Sequence, residues 1–412
     1  MKVLHVIPSI APVRGGPSLA VIGMVKALRD NGIEAEIATT NDDGLNLLDV
    51  PLGQRIEYQQ VPVWFFPRFS PNLHALREFA FSWQLTTWLW QVIHQYDVLH
   101  IDAIFSYPST AAMAIARHKQ LPYIVRPLGQ LCWWSLQQSA FKKQIYLQLI
   151  EKANLNHAQA LHLTSEQEQQ EVSRLSLDTP SFILPHGLFI PPTIPDARQR
   201  LRQYLNVPAD EPIILFLSRL HPKKGLDYLI PALGKLTNYR FTFVIAGSGS
   251  PEYESEVESF LVSHGIRDRT QFTGFVTGEV KDILMQGADL FALTSYSENF
   301  GVAVLEALAV GLPVVITPGV ALTDFVKEQR LGYVADLDVA AIAFFLKQAL
   351  EHLQETKSMG DRARQLVSER YTWDKVASNL IDIYTKITNK NQSFMCNKKN
   401  LIYDNRDNIK TT

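Results

Sequence analysis

The chain is poor in cysteine, holding only Cys132 and Cys396 in 412 residues. The two stand far apart and in no metal-ligand spacing, which excludes a disulfide framework and fits a reducing compartment, so the cytoplasm is the expected location. No apolar run is long enough to span a bilayer. The start, Met1-Lys-Val-Leu-His-Val-Ile-Pro8, lacks the cationic segment and long apolar stretch of an export signal and reads as a first strand. Charge of one sign is also missing: Lys+Arg 39 against Asp+Glu 41 gives no field to attract nucleic acid. There is no internal repeat. The one biased tract, 389–412, is polar, rich in Asn and Lys, and expected to be disordered.

What remains is a long, well-patterned chain. Its length suits two cores rather than one. Apolar runs of strand length at 3–7, 98–101, 123–125 and 161–163 alternate with helix-like stretches, which predicts a parallel sheet covered by helices. The pattern resets after Leu188-Phe-Ile-Pro-Pro-Thr-Ile-Pro195, whose three prolines lack backbone donors and mark a linker. Strands then recur at 213–217, 241–246, 289–294 and 314–317. The expected architecture is α/β, with two Rossmann-like doubly wound domains, 1–190 and 196–372, facing across a cleft. A last helix, 373–388, is expected to pack back on the first domain. Open sheets of this kind bind ligands at the carboxyl ends of their strands.

One stretch, "SYSENFGVAVLEALAVGLPVV" at 295–315, sets two carboxylates in apolar surroundings. The spacing predicts a strand to Thr294, a loop holding Glu298, and a helix from Gly301 to Val310. Glu306 then lies among Val302, Ala303, Leu305, Ala307 and Leu308, where an ionised carboxylate needs a partner. The helix start at Asn299, Phe300, Gly301 and Val302 offers backbone N–H groups to a phosphate, and an acid one or two turns deeper can accept from ribose hydroxyls. That suits a nucleotide sugar, with sugar hydroxyls on Glu298. The bland alternative is a structural ion pair for Glu306 and a solvated loop for Glu298. A second stretch, "SRLHPKKG" at 218–225, follows a strand and puts Arg219 and Lys224 at the same sheet edge, where two cations can hold a departing diphosphate. Lys223 reads as a solvated neighbour.

These two motifs, with "RGGPSLAV", "YDVLHID", "LTSEQEQQEV", "ILPHG", "IAGSG" and "FTGFV", resemble the retaining glycosyltransferases of family 4, which have the GT-B fold. The likeness runs to about Ile387. It implies that Glu298 contacts the donor sugar, Glu306 the ribose, and Arg219 and Lys224 the diphosphate, with Asn299, Phe300 and Gly301 adding backbone contacts. It also implies a His where this chain has Asp102, pointing into the cleft near the reacting sugar. Asp102 is thus a candidate catalytic residue, and His100, on the opposite side of the strand, reads as core. Further departures are His186 in place of Asn and Thr294 in place of Pro.

In the first domain, Gly15 and Gly16 let the backbone approach acceptor and donor, with Pro17 suited to the first helical position. No Gly-x-Gly-x-x-Gly is formed there, and Glu252 breaks the one begun at Gly247-Ser-Gly249, which disfavours hydride transfer. Arg126 is a candidate for an acceptor anion, or else a structural salt bridge. The crowd of aromatics between Trp64 and Trp90, with Trp133 and Trp134, offers core, sugar-stacking or membrane-surface roles. The expected reaction is retaining transfer from a UDP-, GDP- or ADP-sugar to a hydroxyl acceptor, a glycan or lipid-linked glycan of surface polysaccharide synthesis. No cofactor or metal is expected, and Asp336-Leu-Asp338 reads as a helix cap. The rivals are a sugar-nucleotide epimerase of the same fold and a silent nucleotide-sugar-binding subunit.

Overall fold

A computed structural model describes residues 1–72, 77–138 and 140–389; of the tail expected to be disordered over 389–412, Asn389 instead closes a helix and the rest lies outside the described residues. The chain divides into two compact units, one of 1–188 joined by the segment from Trp373, the other Phe189–Thr372. The division falls at Leu188, so the proline-rich segment opens the second unit.

The first unit is built on β1 (Lys2–Val6), β2 (Glu34–Thr40), β5 (Arg55–Tyr58), β6 (Val61–Phe66), β7 (Val98–Asp102), β8 (Tyr123–Arg126), β9 (Ala160–Leu163) and β10 (Ser181–Ile183), with a two-stranded hairpin of β3 (Asp42–Asp43) and β4 (Asn46–Leu47). The sheet order is β10-β9-β8-β7-β1-β2-β6-β5, parallel except where β5 meets β6. Its interior strands are buried on both faces, as their near-continuous apolar runs require. One face is covered by the helix Gly16–Asp30 and by the helix Trp373–Asn389. The latter buries Trp373, Val376, Ala377, Leu380, Ile383, Tyr384 and Ile387, spaced three and four apart, so one apolar stripe docks it. Each buried Val, Leu or Ile among them contributes roughly 1.5–3 kcal/mol. The helix after β1 starts at Gly16, one residue earlier than the position of Pro17 suggests, with Gly15 (φ 74°) before it.

The second unit is a wholly parallel six-stranded sheet: β11 (Ile213–Leu217), β12 (Thr242–Ala246), β13 (Thr270–Gly274), β14 (Leu290–Leu293), β15 (Val314–Ile316) and β16 (Gly332–Val334). Its order is β13-β12-β11-β14-β15-β16. Strand order reverses between the neighbours β11 and β14, and a sheet of this type offers its ligand crevice at such a point. The turns after these two strands hold "SRLHPKKG" and "SENFG".

Candidate active site

The two turns of the second unit are fastened together. Tyr296 N–H donates to the Lys223 carbonyl (2.9 Å) and the Thr294 hydroxyl donates to the Gly225 carbonyl (2.7 Å). Gly225 (φ 71°) is forced by this contact: a Cβ there would lie 1.9 Å from the Thr294 carbonyl oxygen. The Tyr296 hydroxyl adds a bond to Asp227 Oδ2 (2.6 Å), on the helix Leu226–Gly234. The Lys224 ammonium consequently meets the Glu298 carboxylate in an ion pair, and the Ser295 hydroxyl donates to the same Glu298 oxygen (3.0 Å). The Glu298 amide donates to the Gly319 carbonyl (2.7 Å), fixing the loop from its other side.

Gly301 adopts φ 87° and ψ 54°, which turns the chain into the helix Val302–Ala309. The helix therefore begins one residue later than the sequence suggests, with Gly301 as its N-cap. No side chain caps this end, so its first turn presents backbone donors and a partial positive charge. Phe300 is buried with its ring 6.3 Å from that of Tyr371. Asn299 and Val302 are half-buried.

Glu306 has the partner that its apolar neighbours in sequence call for, and that partner makes the ion pair the alternative reading kept open. The Glu306 side chain is 26% exposed and accepts from Lys281 Nζ at 2.6 Å. Lys281 stands on the helix Gly278–Gly287, which packs on the helix of Glu306. Nothing local in the sequence announces Lys281, because the contact depends on how two helices pack 25 positions apart. Glu298 is likewise 14% exposed, not sealed. Arg219 is exposed and has no ion-pair partner among the described residues. Its charge is felt nearby: burial first, then Arg219, Lys224 and Lys223, hold the His221 imidazole below its ordinary pKa. Three cations thus crowd one turn of the sheet edge.

The first unit treats its candidates differently. Asp102 is fully buried; Oδ2 pairs with His5 Nδ1 (3.0 Å) and Oδ1 with Arg126 Nη1 (3.3 Å). Burial pushes the Asp102 carboxyl up, but His100, His5 and Arg126 together pull it below its ordinary value. Arg126 is 1% exposed and donates through Nη2 to His186 Nδ1 (2.6 Å). Neither residue presents its charged group to solvent: both belong to an internal network, in which Arg126 makes the structural salt bridge that the sequence left open.

That network extends through the histidines. The His162 ring nitrogen Nε2 faces the Leu184 carbonyl (2.8 Å), which can only accept, so Nε2 carries the proton. His162 Nδ1 then accepts from His100 Nε2 (3.3 Å), and His100 Nδ1 accepts from the Tyr384 hydroxyl (2.6 Å). His100 is core, as its place on the strand suggests. Burial holds His100, His162 and His186 well below the ordinary imidazole pKa. Asp338 caps the helix Val339–Glu351 by accepting from Ala340 and Ala341 amides (2.8 and 2.9 Å).

Two family models match the chain: "Glycosyl transferase 4-like domain" over 15–186 and "Glycosyl transferases group 1" over 197–366. A D-inositol 3-phosphate glycosyltransferase of Xylanimonas cellulosilytica is 28% identical over 402 residues, 91% of this chain and 93% of that protein. An uncharacterised glycosyltransferase of Methanocaldococcus jannaschii is 33% identical over 185 residues, 44% of this chain and 47% of that protein. The match thus spans about half the length of that second relative. Among solved structures, Anabaena HepE in complex with UDP and glucose superposes with a TM-score of 0.74 at 22% identity, over 94% of this chain and 100% of that one. Sucrose-phosphate synthase from Thermosynechococcus elongatus gives 0.76 at 20% identity, over 94% and 99%. At these identities the likeness establishes the fold.

Proposed function

The chain belongs to the glycosyltransferases of the GT-B fold, and from that premise we propose that it moves a sugar from a nucleoside diphosphate to a hydroxyl acceptor with retention of anomeric configuration. One observation carries the reading: the Lys224–Glu298 pair stands beside the uncapped start of the helix Val302–Ala309, at the point where the strand order of the sheet reverses. An ammonium has three donors. Lys224 can therefore keep Glu298 and still donate to a diphosphate oxygen, while Arg219 and the helix start take the rest of its charge. These groups stabilise the negative charge that grows on the leaving nucleotide, which is the step a metal serves elsewhere. Glu298 accepts from hydroxyls of the donor sugar. Glu306, partly exposed and held by Lys281, accepts from the ribose. UDP complexes of HepE support the class of donor, and the D-inositol 3-phosphate glycosyltransferase supports a small phosphorylated polyol acceptor as readily as a glycan.

The sealed state of Asp102 favours a second reading, a subunit that binds nucleotide sugar without turning it over, since the position expected to reach the reacting sugar is taken up internally. The test is incubation of the protein with UDP-, GDP- and ADP-sugars and a panel of glycan and lipid-linked acceptors, with the product anomer read by NMR. Retained configuration in a transferred sugar supports the transferase. Interconversion of the donor sugar without acceptor means an epimerase, and donor binding with no product for any acceptor means the silent subunit. Lys224→Ala should lower kcat by the equivalent of about 2–4 kcal/mol of barrier.

A further inference from the structure

Strand order also reverses in the first unit. β1 pairs with β2 on one side and with β7 on the other, so a ligand crevice of this sheet opens between the loop after β1 and the loop after β7. Asp102 at the end of β7 is sealed, whereas the loop after β1 is open. That loop passes through the single 3-10 turn Pro12–Arg14 to Gly15 (φ 74°, ψ −140°) and the helix Gly16–Asp30. Among the described residues no atom beyond its chain neighbours lies within 4 Å of where a Cβ on Gly15 would stand, so a ligand can reach this backbone directly. The turn's own bonds are local, from the Arg14 amide to the Ala11 carbonyl (3.0 Å) and from the Gly15 amide to the Pro12 carbonyl (2.9 Å). They shape the turn without fixing it against the rest of the unit.

A side chain supplies that hold. Arg14 Nε and Nη2 donate to the Asp42 carboxylate (2.7 and 2.8 Å), and Nη1 and Nη2 donate to the Glu78 carboxylate (2.7 and 3.2 Å). One guanidinium thus grips two acids with two bonds each, a geometry that only its planar fork provides, and commits four of its five donors. Asp42 is a firm anchor. Its side chain is buried and also pairs with the buried guanidinium of Arg68. Arg68 in turn donates through Nη1 to the Gly44 carbonyl (2.9 Å) and through Nη2 to the Asn46 carbonyl (3.1 Å), which closes the β3–β4 hairpin around the anchor. The Ser9 hydroxyl donates to the Asp42 carbonyl (2.8 Å), a second tie between loop and hairpin. The bonds from Asp42, opposed by burial and joined by Glu78, hold the Arg14 guanidinium above its ordinary pKa. Two arginines against two carboxylates cancel in charge, so what this cluster gives the loop is geometry.

We infer that Arg14 is a positioning residue for sugar transfer, clamping the loop Pro12–Gly15 in the shape in which its open backbone meets the reacting groups. The inference rests on the proposed transfer. The full chain is assayed with the donor and acceptor that the panel above identifies, and is titrated with UDP, GDP and ADP. Arg14→Ala should lower kcat by about thirtyfold or more, the scale of a misplaced reacting group. The nucleotide contacts proposed above belong to the second unit, so nucleotide affinity should stay within about twofold. Arg14 is part-exposed and Asp42 keeps Arg68, so the unfolding midpoint should stay close to that of wild type. Arg14→Lys keeps the charge without the fork and should remain at least about tenfold below wild type in kcat. Glu78→Gln leaves the grip on Asp42 intact and should cost only about threefold. Hydrogen exchange reads the clamp without turnover: in Arg14→Ala the amides of Arg14 and Gly15 should exchange at least about tenfold faster, while those of β1 and β7 keep their rates. Wild-type kcat in Arg14→Ala, full recovery in Arg14→Lys, or unchanged exchange overturns the inference. So does a loss of kcat that tracks a fallen unfolding midpoint, which would make Arg14 a framework residue only. A wild type that transfers no sugar defeats the proposed function and the catalytic half of the inference with it, while exchange still decides whether Arg14 fixes the loop.

Discussion

The carboxyl edges of the two sheets hold acidic residues in similar topological places and use them in opposite ways. In the first unit Asp102 ends β7 and is fully buried, with a cation or histidine on each oxygen. In the second, Glu298 and Glu306 follow β14, and each keeps part of its surface and a single lysine. Burial with complete pairing makes a charge part of the framework, whereas partial exposure with one lysine partner leaves acceptor capacity for a ligand. Residue type and position on a strand do not separate the two cases. The neighbours do.

The comparison breaks most visibly under substitution of Asp102. Asp102→Ala leaves the buried Arg126 without its counter-charge and His5 without its acceptor, and should cost about 3–5 kcal/mol of stability in urea unfolding, while Asp102→Asn, which keeps the volume and one acceptor, should cost less. A loss below about 1 kcal/mol in Asp102→Ala would mean that the network is not structural.

A second effect follows from pH. His100, His162 and His186 have folded pKa values well below their unfolded ones, so the unfolded chain binds the extra protons. Their neutral forms contribute stability that is fully present above about pH 6.5 and is lost as pH falls below it, by up to about 1.4 kcal/mol per pH unit for each histidine. The buried Glu151 and Glu168, whose pKa values burial raises, act with the opposite sign above the ordinary carboxyl range. Unfolding midpoints measured between pH 7 and pH 5 should fall, and His162→Asn should flatten the slope. A flat profile in the wild type would contradict the tautomer chain from Leu184 to Tyr384.

The smallest expected effect sharpens the other side. Glu306→Ala should leave stability nearly unchanged, because its pair with Lys281 is part-exposed. It should weaken nucleotide binding by about 1.5–3 kcal/mol, the worth of a hydrogen bond to a charged acceptor, as read by calorimetry. Loss of stability without loss of binding would make Glu306 a framework residue like Asp102.

Much of the fold is legible because its signals are local. Apolar runs such as Ile213–Leu217 become central strands, and the spacing of Trp373, Val376, Leu380 and Tyr384 becomes the docking stripe of the last helix. The turns of Lys224 and Glu298 are legible for the same reason, since each motif lies within ten residues of a strand end. The partners were not. Arg126 and His186 are 60 positions apart, and His100 meets Tyr384 across 284. Such contacts are set by sheet order and helix docking, which no window of sequence contains.

The central claim is that a diphosphate docks where Lys224 and Arg219 meet the start of the helix at Gly301. Calorimetric titration of UDP, GDP and ADP into wild type, Lys224→Ala and Asp102→Asn tests it most directly. The account predicts that at least one nucleotide binds wild type, binds Asp102→Asn equally well, and binds Lys224→Ala at least tenfold more weakly. Unchanged affinity in Lys224→Ala, with Asp102→Asn the weakened variant, would contradict it.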